Sequence, residues 1–397
     1  HFTIHSFPTR RSSDLDVAAA CRAHIDLFGS LPVDRYVFFV NVVPSGRGGL
    51  EHRASSMLEV ARDALPLPGD PAEREPYLEL LGLFSHEYFH LWHVKRIRPA
   101  ALAPPDLGRE VHTTLLWAFE GITSYYDDLS LCRARLIDRR QYLDGLAQVI
   151  TRVHRGRGRL RQTLSDSSFD AWTRFYKQDE NAPNAIVSYY AKGALVALAL
   201  DLTVRSASGG RRSLDDVMRA LWLQHGDGQG VEPEELERLS AEVAGLELAP
   251  FFDGALRSVR ELDLATPLAQ VGIALEWRQP APSADYLPGL GIAVDTSGEL
   301  ARVTRVFDQG PARAAGIAAR DRLVAIDGIH RGGSALVERA GRLEPDRVVE
   351  VHLLRGDRLL VRRARVAAAP RDQAVLRRMD DPDPVAADLL DDWLGQR

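Results

Sequence analysis

The spacing of apolar residues changes character once along this chain, and that change limits what it can fold into. From Arg74 to Lys95, across residues 113–136, and over Arg140–His154, Ser188–Arg205, Ser213–His225 and Glu232–Ala244, apolar side chains recur at helical spacing. Near Trp277 the pattern stops. RQPAPSADYLPG is a Pro/Ala/Ser-rich connector, and beyond it come the short runs LGIAV, ARVTRVF, DRLVAIDG, VVEVHLLRG and LLVRRARV, which read as strands around the short helix GPARAAGI. Ahead of the helical part, Ala18–Phe28 reads as a short helix and RYVFFVNVV (Arg35–Val43) as a buried strand between Pro32 and Pro44. The fold class expected is α+β: a mostly helical domain with a small sheet, then a smaller β-rich domain.

The expected divisions follow. Residues 1–15 form no clear pattern and are set aside as an assembly artefact or unstructured segment; 16–276 are the first domain, 277–287 the linker, 288–369 the β-rich domain, and 370–397 a charged, weakly ordered tail. The formal net charge of −5 gives no support to nucleic acid or an acidic membrane surface as partner. The arginine-rich run Arg152–Arg161 is a single run in an acidic chain and reads as a solvated turn between helices. No apolar run reaches the ~18 residues that span a bilayer. Cys21 and Cys132 make neither a disulfide framework nor a cysteine metal site; a reducing compartment is compatible with them but not required, and the compartment is left open, the cytoplasm being favoured unless a signal sequence preceded the missing N-terminal region.

The most informative stretch is FSHEYFHLWHVKRIRP, Phe84–Pro99. His86 and His90 are one helical turn apart, so both imidazoles can reach one cation. Glu87 is rotated by about 100° around the axis, away from the ligand stripe but within reach of a water on that cation. His93 extends the stripe, but three residues in one line give a poor tetrahedral set, and it reads as a packed or supporting histidine. A third ligand must come from elsewhere, and Glu120 in WAFEGITSYY is the candidate. It is a carboxylate on the apolar side of an amphipathic helix, where it is costly unless paired or metal-bound, and Gly121 beside it permits close helix approach.

These residues resemble the gluzincin metallopeptidases, in which the third ligand is a Glu on the next helix. Three further motifs narrow the resemblance. GGLEHRASS is similar to the glycine-rich exopeptidase strand, SYYAKGALVALALDL to the Y-x-K-G segment of the transition-state tyrosine, and SHEYFHLWHVKRIRP with DSSFDAWTRFYKQDENAPN to the glycyl aminopeptidase family. That family joins a thermolysin-like catalytic domain to a PDZ domain. The resemblance covers residues from about 16 to 370. Two departures stand out. The 29-residue interval between His90 and Glu120 implies that IRPAALAPPDLGREVH loops out. The family's N-terminal β domain has no counterpart, which suggests a fragment.

The resemblance implies one zinc ion held by His86, His90 and Glu120, with Glu87 as general base. It implies Tyr190 as the oxyanion donor, Tyr189 being the neighbouring alternative. Glu51 would bind the free amine of a peptide, helped by Gly49 and Leu50 through backbone hydrogen bonds, the Gly48–Gly49 pair letting the strand approach its substrate. The function implied is a zinc aminopeptidase acting on peptides with a small N-terminal residue. A zinc endopeptidase that uses its PDZ domain to present substrate, or a catalytically idle peptide-binding fragment, are the alternatives. For the PDZ domain, Leu290, Gly291 and Ile292 are the candidate loop for a C-terminal peptide.

Overall fold

The computed structural model describes residues 11–66, 70, 74–106 and 108–395; most of the segment set aside at the N-terminus lies outside them. Helix α1 (Arg11–Phe28) starts earlier than its apolar spacing suggested. A three-stranded sheet follows, made of β1 (Val37–Val43), β2 (Arg47–Glu51) and β3 (Ser55–Ala61) in the order β1-β3-β2. β1 runs parallel to β3 and β2 antiparallel to it, so β2 is an edge strand. Helix α2 (Glu75–Phe89) packs beneath this sheet. β1 is not the buried strand its composition suggests. Among the described residues only one face of the sheet is covered, and Phe39, Met57 and Leu50, aligned across the three strands, lie on the open face.

The next helical stretch opens with a π-helical turn, Trp117–Ile122, before α3 (Thr123–Arg133). Between α2 and this turn the chain loops out as expected, tied down where the Ala100 amide donates to Val231 O. Then come α4 (Arg139–Arg155), the short α5 (Leu164–Phe169) and α6 (Ala182–Ala185), and the long buried α7 (Tyr189–Ser208). Helices Leu214–His225 and Pro233–Ala244 follow where their spacing predicts, and the shorter helices Ala249–Leu256 and Ala265–Gln270 come after them. Asp138 caps α4 in a reciprocal box with Gln141, and Ser188 caps α7, which fixes where α7 begins and hence where Tyr189 and Tyr190 stand.

β4 (Ile273–Arg278) ends the body. The chain then builds an antiparallel sheet in the order β10-β9-β7-β6-β5, with β8 (Ile329–His330) paired to β7. Its strands are β5 (Ile292–Asp295), β6 (Ala301–Val306), β7 (Arg322–Ile326), β9 (Val348–Arg355) and β10 (Arg358–Arg365). This lobe has its own core, in which Ile292, Val303, Leu323, Val349 and Leu353 are buried. It is fastened to the body by Arg161 on Asp308 (2.6 Å), by Asn184 Nδ2 on Val306 O (2.8 Å), and by an Arg320–Glu180 pair. The arginine run before α5 is thus not simply solvated: Arg159 is buried against Glu261 and Arg161 serves the lobe contact.

The end of the chain corrects the sequence expectation most. Residues 370–395 are not a weakly ordered tail. β11 (Gln373–Arg378) pairs antiparallel with β4, and helix Pro384–Trp393 returns to the helical body. Ala386, Leu389, Leu390 and Trp393 are buried, Trp393 donates to the Tyr125 hydroxyl (2.8 Å), and Asp392 pairs with Arg205 (2.5 Å). The charges that suggested disorder lie on the other side of this helix or are paired.

Candidate metal centre

α2 carries His86 and Glu87, and its last turn places His90 at the C-cap. Because the helix stops at Phe89, the chain bends and His93 leaves the stripe. The His93 ring stacks on Phe119 (centroids 4.3 Å apart) and its carbonyl accepts from His90 Nδ1 (2.7 Å). That bond leaves His90 Nε2 as the free donor. On the other histidine, His86 Nδ1 lies 3.3 Å from Asp127 Oδ2. Asp127, seven residues after Glu120 and so on its side of the helix, is a supporting residue that sequence reasoning missed.

Glu120 comes from the π-helical turn that crosses α7. A Cβ on Gly121 would lie 2.5 Å from the Gly193 Cα, and one on Gly193 2.7 Å from Trp117 O, so both helices touch backbone to backbone. Glu120 Oε2 lies 3.4 Å from His86 Nε2 and 3.4 Å from His90 Nε2. Two donors of one tetrahedral ion with bonds of 2.0–2.1 Å stand about 3.3 Å apart. The buried Glu120 Oε2 also lacks a hydrogen-bond partner. His86, His90 and Glu120 therefore fit a single small cation, and among the described residues they form the one such group.

Electrostatics agree with that reading. Burial pushes His86 down, but the Asp127 and Glu120 carboxylates outweigh it and raise it to about 10. Burial raises Glu120, and the two histidines overcome this to hold it at about 2. Burial lowers His93 to about 3, consistent with a packed neutral ring.

Glu87 is buried, its Oε2 has no partner, and burial raises its carboxyl above the usual range against the pull of His90 and His86. Tyr36 OH donates to the Glu87 carbonyl (3.2 Å) and steadies this turn. β2 runs directly over it. A Cβ on Gly49 would lie 2.0 Å from Glu87 Oε1, whereas one on Gly48 would meet nothing within 4 Å. Leu50 is exposed, and its carbonyl accepts from His52 Nδ1 (3.1 Å). Glu51 pairs with Lys95 Nζ at 2.8 Å, a partner sequence reasoning missed.

Tyr190 stands with its ring centroid 6.3 Å from that of His86 and its hydroxyl 3.5 Å from the Tyr176 hydroxyl. Tyr189 is fully buried and donates to Tyr176 OH (3.2 Å). Burial first, then the Glu120 charge, hold the Tyr190 phenol far above its ordinary range, so it stays protonated. In the C-terminal lobe, Leu290, Gly291 and Ile292 do not offer a free loop of amides. The Leu290 and Gly291 amides donate to Leu287 O (3.1 and 2.8 Å), and the same segment pairs along β5 through Leu287 N to Ile292 O and Val294 N to Ala284 O (both 2.8 Å).

Two histidines and a glutamate on crossing helices, with a carboxylate beside them and an edge strand above, make a group that could hold one metal ion. The sequence profile of the M61 glycyl aminopeptidases matches residues 79–196. The crystal structure of an aminopeptidase N family protein from Idiomarina loihiensis is similar to this chain at 34% identity and a TM-score of 0.91, covering 99% of this chain and 67% of that one. The HtrA-type protease AlgW with a decapeptide matches at 21% identity and a TM-score of 0.18, over 27% of this chain and 34% of that one. No curated protein matches. The chain belongs to the M61 glycyl aminopeptidase family, a family of metallopeptidases. Among the described residues no helix is long and apolar enough to cross a membrane.

Proposed function

We propose that the chain is a zinc aminopeptidase that removes small N-terminal residues, glycine or alanine, from peptides. The observation that carries this is the His86–His90–Glu120 group with its 3.4 Å separations beside the Glu87 carboxylate, whose Oε2 has no partner among the described residues. Zinc held there supplies Lewis acidity toward water and the scissile carbonyl. Glu87 takes the proton of the attacking water and returns it to the departing amine nitrogen, for which its raised pKa suits it. The Tyr190 hydroxyl donates to the carbonyl oxygen as that oxygen gains charge. The fully buried state of Tyr189 favours Tyr190 over it.

β2 lies at the sheet edge, so an extended peptide can lie along it, with Gly49 and Leu50 supplying backbone partners. Glu51 at its end meets the α-ammonium, and that contact limits cleavage to the first bond. Replacing Glu87 by Gln tests the assignment. Zinc content, read by elemental analysis, should stay near that of the parent, while hydrolysis of glycyl and alanyl amides falls by at least ~10³-fold. Retained hydrolysis in a zinc-loaded Glu87→Gln protein would refute the role of Glu87.

A further inference from the structure

We infer that Lys95 is a positioning residue that holds the Glu51 carboxylate ready for the substrate's ammonium group; this rests on the reading of Glu51 as the amine anchor. Lys95 Nζ lies 2.8 Å from Glu51 Oε1, and both side chains are largely shielded from water (29% and 18% exposed). One oxygen of Glu51 is thus already held. A carboxylate can accept from two donors at once, so the lysine and an α-ammonium need not exclude each other.

The backbone around Lys95 supports a built role. Lys95 N donates to His90 O (3.0 Å), in the turn whose His93 carbonyl orients the His90 ring. The metal ligand and the cation that holds the anchor therefore share one turn. The next residue, the buried Arg96, ties that turn to the substrate strand's hairpin: its Nη1 donates to Leu91 O (2.7 Å) and to Arg53 O (3.1 Å). Arg98 donates to Lys95 O (2.5 Å). The basic run after the histidines is a clasp that sets how far Glu51 stands from the His86–His90–Glu120 group. That distance is what selects the first peptide bond.

The specificity consequence is electrostatic. The Glu51–Lys95 pair is neutral overall, so the anchor draws its preference for ammonium from a directed oxygen and not from net charge. Lys95→Met should free the carboxylate to turn and raise KM for glycyl and alanyl amides about tenfold, which is ~1.4 kcal/mol, with kcat within about twofold. KM for the same amides carrying an N-acetyl group should not move. Lys95→Arg, which keeps a cation near Glu51, should recover most of the loss, and Lys95→Gln is the second neutral variant should the methionine variant not fold. A KM for free-amine substrates that is unchanged, or lower, in both neutral variants would overturn the proposal. The underlying reading fails separately: Glu51→Ala would then harm free and acetylated substrates equally.

Discussion

Gly49 and Gly48 are neighbours in sequence and opposites in consequence. A Cβ on Gly49 would lie 2.0 Å from Glu87 Oε1, 2.3 Å from its Cδ and 2.6 Å from its Cγ. Ordinary contact begins near 3.4 Å, so in Gly49→Ala the carboxylate oxygen must retreat by about 1.4 Å, or the strand must lift by as much. The clash is with the mobile end of a side chain, so the cheaper response is for Glu87 to swing away. Stability should then change little, because alanine is favoured over glycine in a strand by roughly 0.5–1 kcal/mol, which offsets part of the strain. Function should change a great deal. A displacement of about 1 Å of a reacting group costs on the order of 10²-fold in rate.

We therefore expect Gly49→Ala to fold, to melt within a few degrees of the parent, to bind zinc stoichiometrically, and to lose about 100-fold in kcat on glycyl and alanyl amides. Gly48→Ala is the matched control, since its Cβ meets nothing within 4 Å and points to the other face of the strand. It should keep kcat within about threefold. Stopped assays on both variants, with zinc content and melting curves on the same preparations, decide the matter. If Gly49→Ala retained parental kcat, Glu87 would not be the group that moves the proton. The sequence alone suggested that both glycines make room for substrate; the structure assigns Gly49 to making room for Glu87.

Other expectations follow from the same geometry. Gly121→Ala places a Cβ 2.5 Å from the Gly193 Cα, where only backbone can give way, so it should destabilise the protein by ~3 kcal/mol or more in denaturant titrations. Asp127→Asn weakens the support of His86 Nδ1 and should lower zinc affinity by about 10- to 100-fold in chelator competition, with the melting of the metal-free protein little affected. His24, buried between Ser85 and Ser130, is lowered by burial from 6.5 to about 3, so the unfolded chain binds its proton first. Its contribution to stability is complete above pH 6.5 and is lost toward pH 3, at up to ~1.4 kcal/mol per pH unit. Urea titrations from pH 7 to 4 should show that slope, and His24→Gln should lack it.

What could be read from the sequence was what is local. The i, i+4 histidines, the glutamate between them and a carboxylate in an apolar helix stripe each follow from helical geometry, and His86, His90 and Glu120 do lie together. What could not be read was decided by distant parts of the chain. The end of α2 at Phe89, which removes His93 from the stripe, depends on the turn that Arg96 holds against Arg53 and Pro32. The Glu51–Lys95 pair joins a strand to a turn across forty-odd residues, and nothing in either segment announces it. The C-terminal helix was legible in principle, since Ala386, Leu389, Leu390 and Trp393 keep helical spacing; its density of aspartates drew the expectation toward disorder. The Leu290–Ile292 loop resembles a ligand loop, but whether its amides are free depends on where the preceding connector lies.

The Glu120–Gly121 step shows how one short segment can serve two neighbours. Adjacent helical residues point about 100° apart, so Glu120 can face α2 while Gly121 faces α7. The π-helical turn at Trp117–Ile122 sits at this junction, a local irregularity of the kind found at functional sites. On the α7 side the contact involves Gly193 and the Tyr189 carbonyl, which would lie 3.0 Å from a Gly121 Cβ. Tyr190 is the next residue. The crossing that places Glu120 beside the two histidines is therefore also the crossing that places the Tyr190 ring near His86. A side chain at residue 121 or 193 would push ligand and tyrosine apart together. The two glycines carry no functional group themselves, and their close contact fixes how Glu120 and Tyr190 stand to each other.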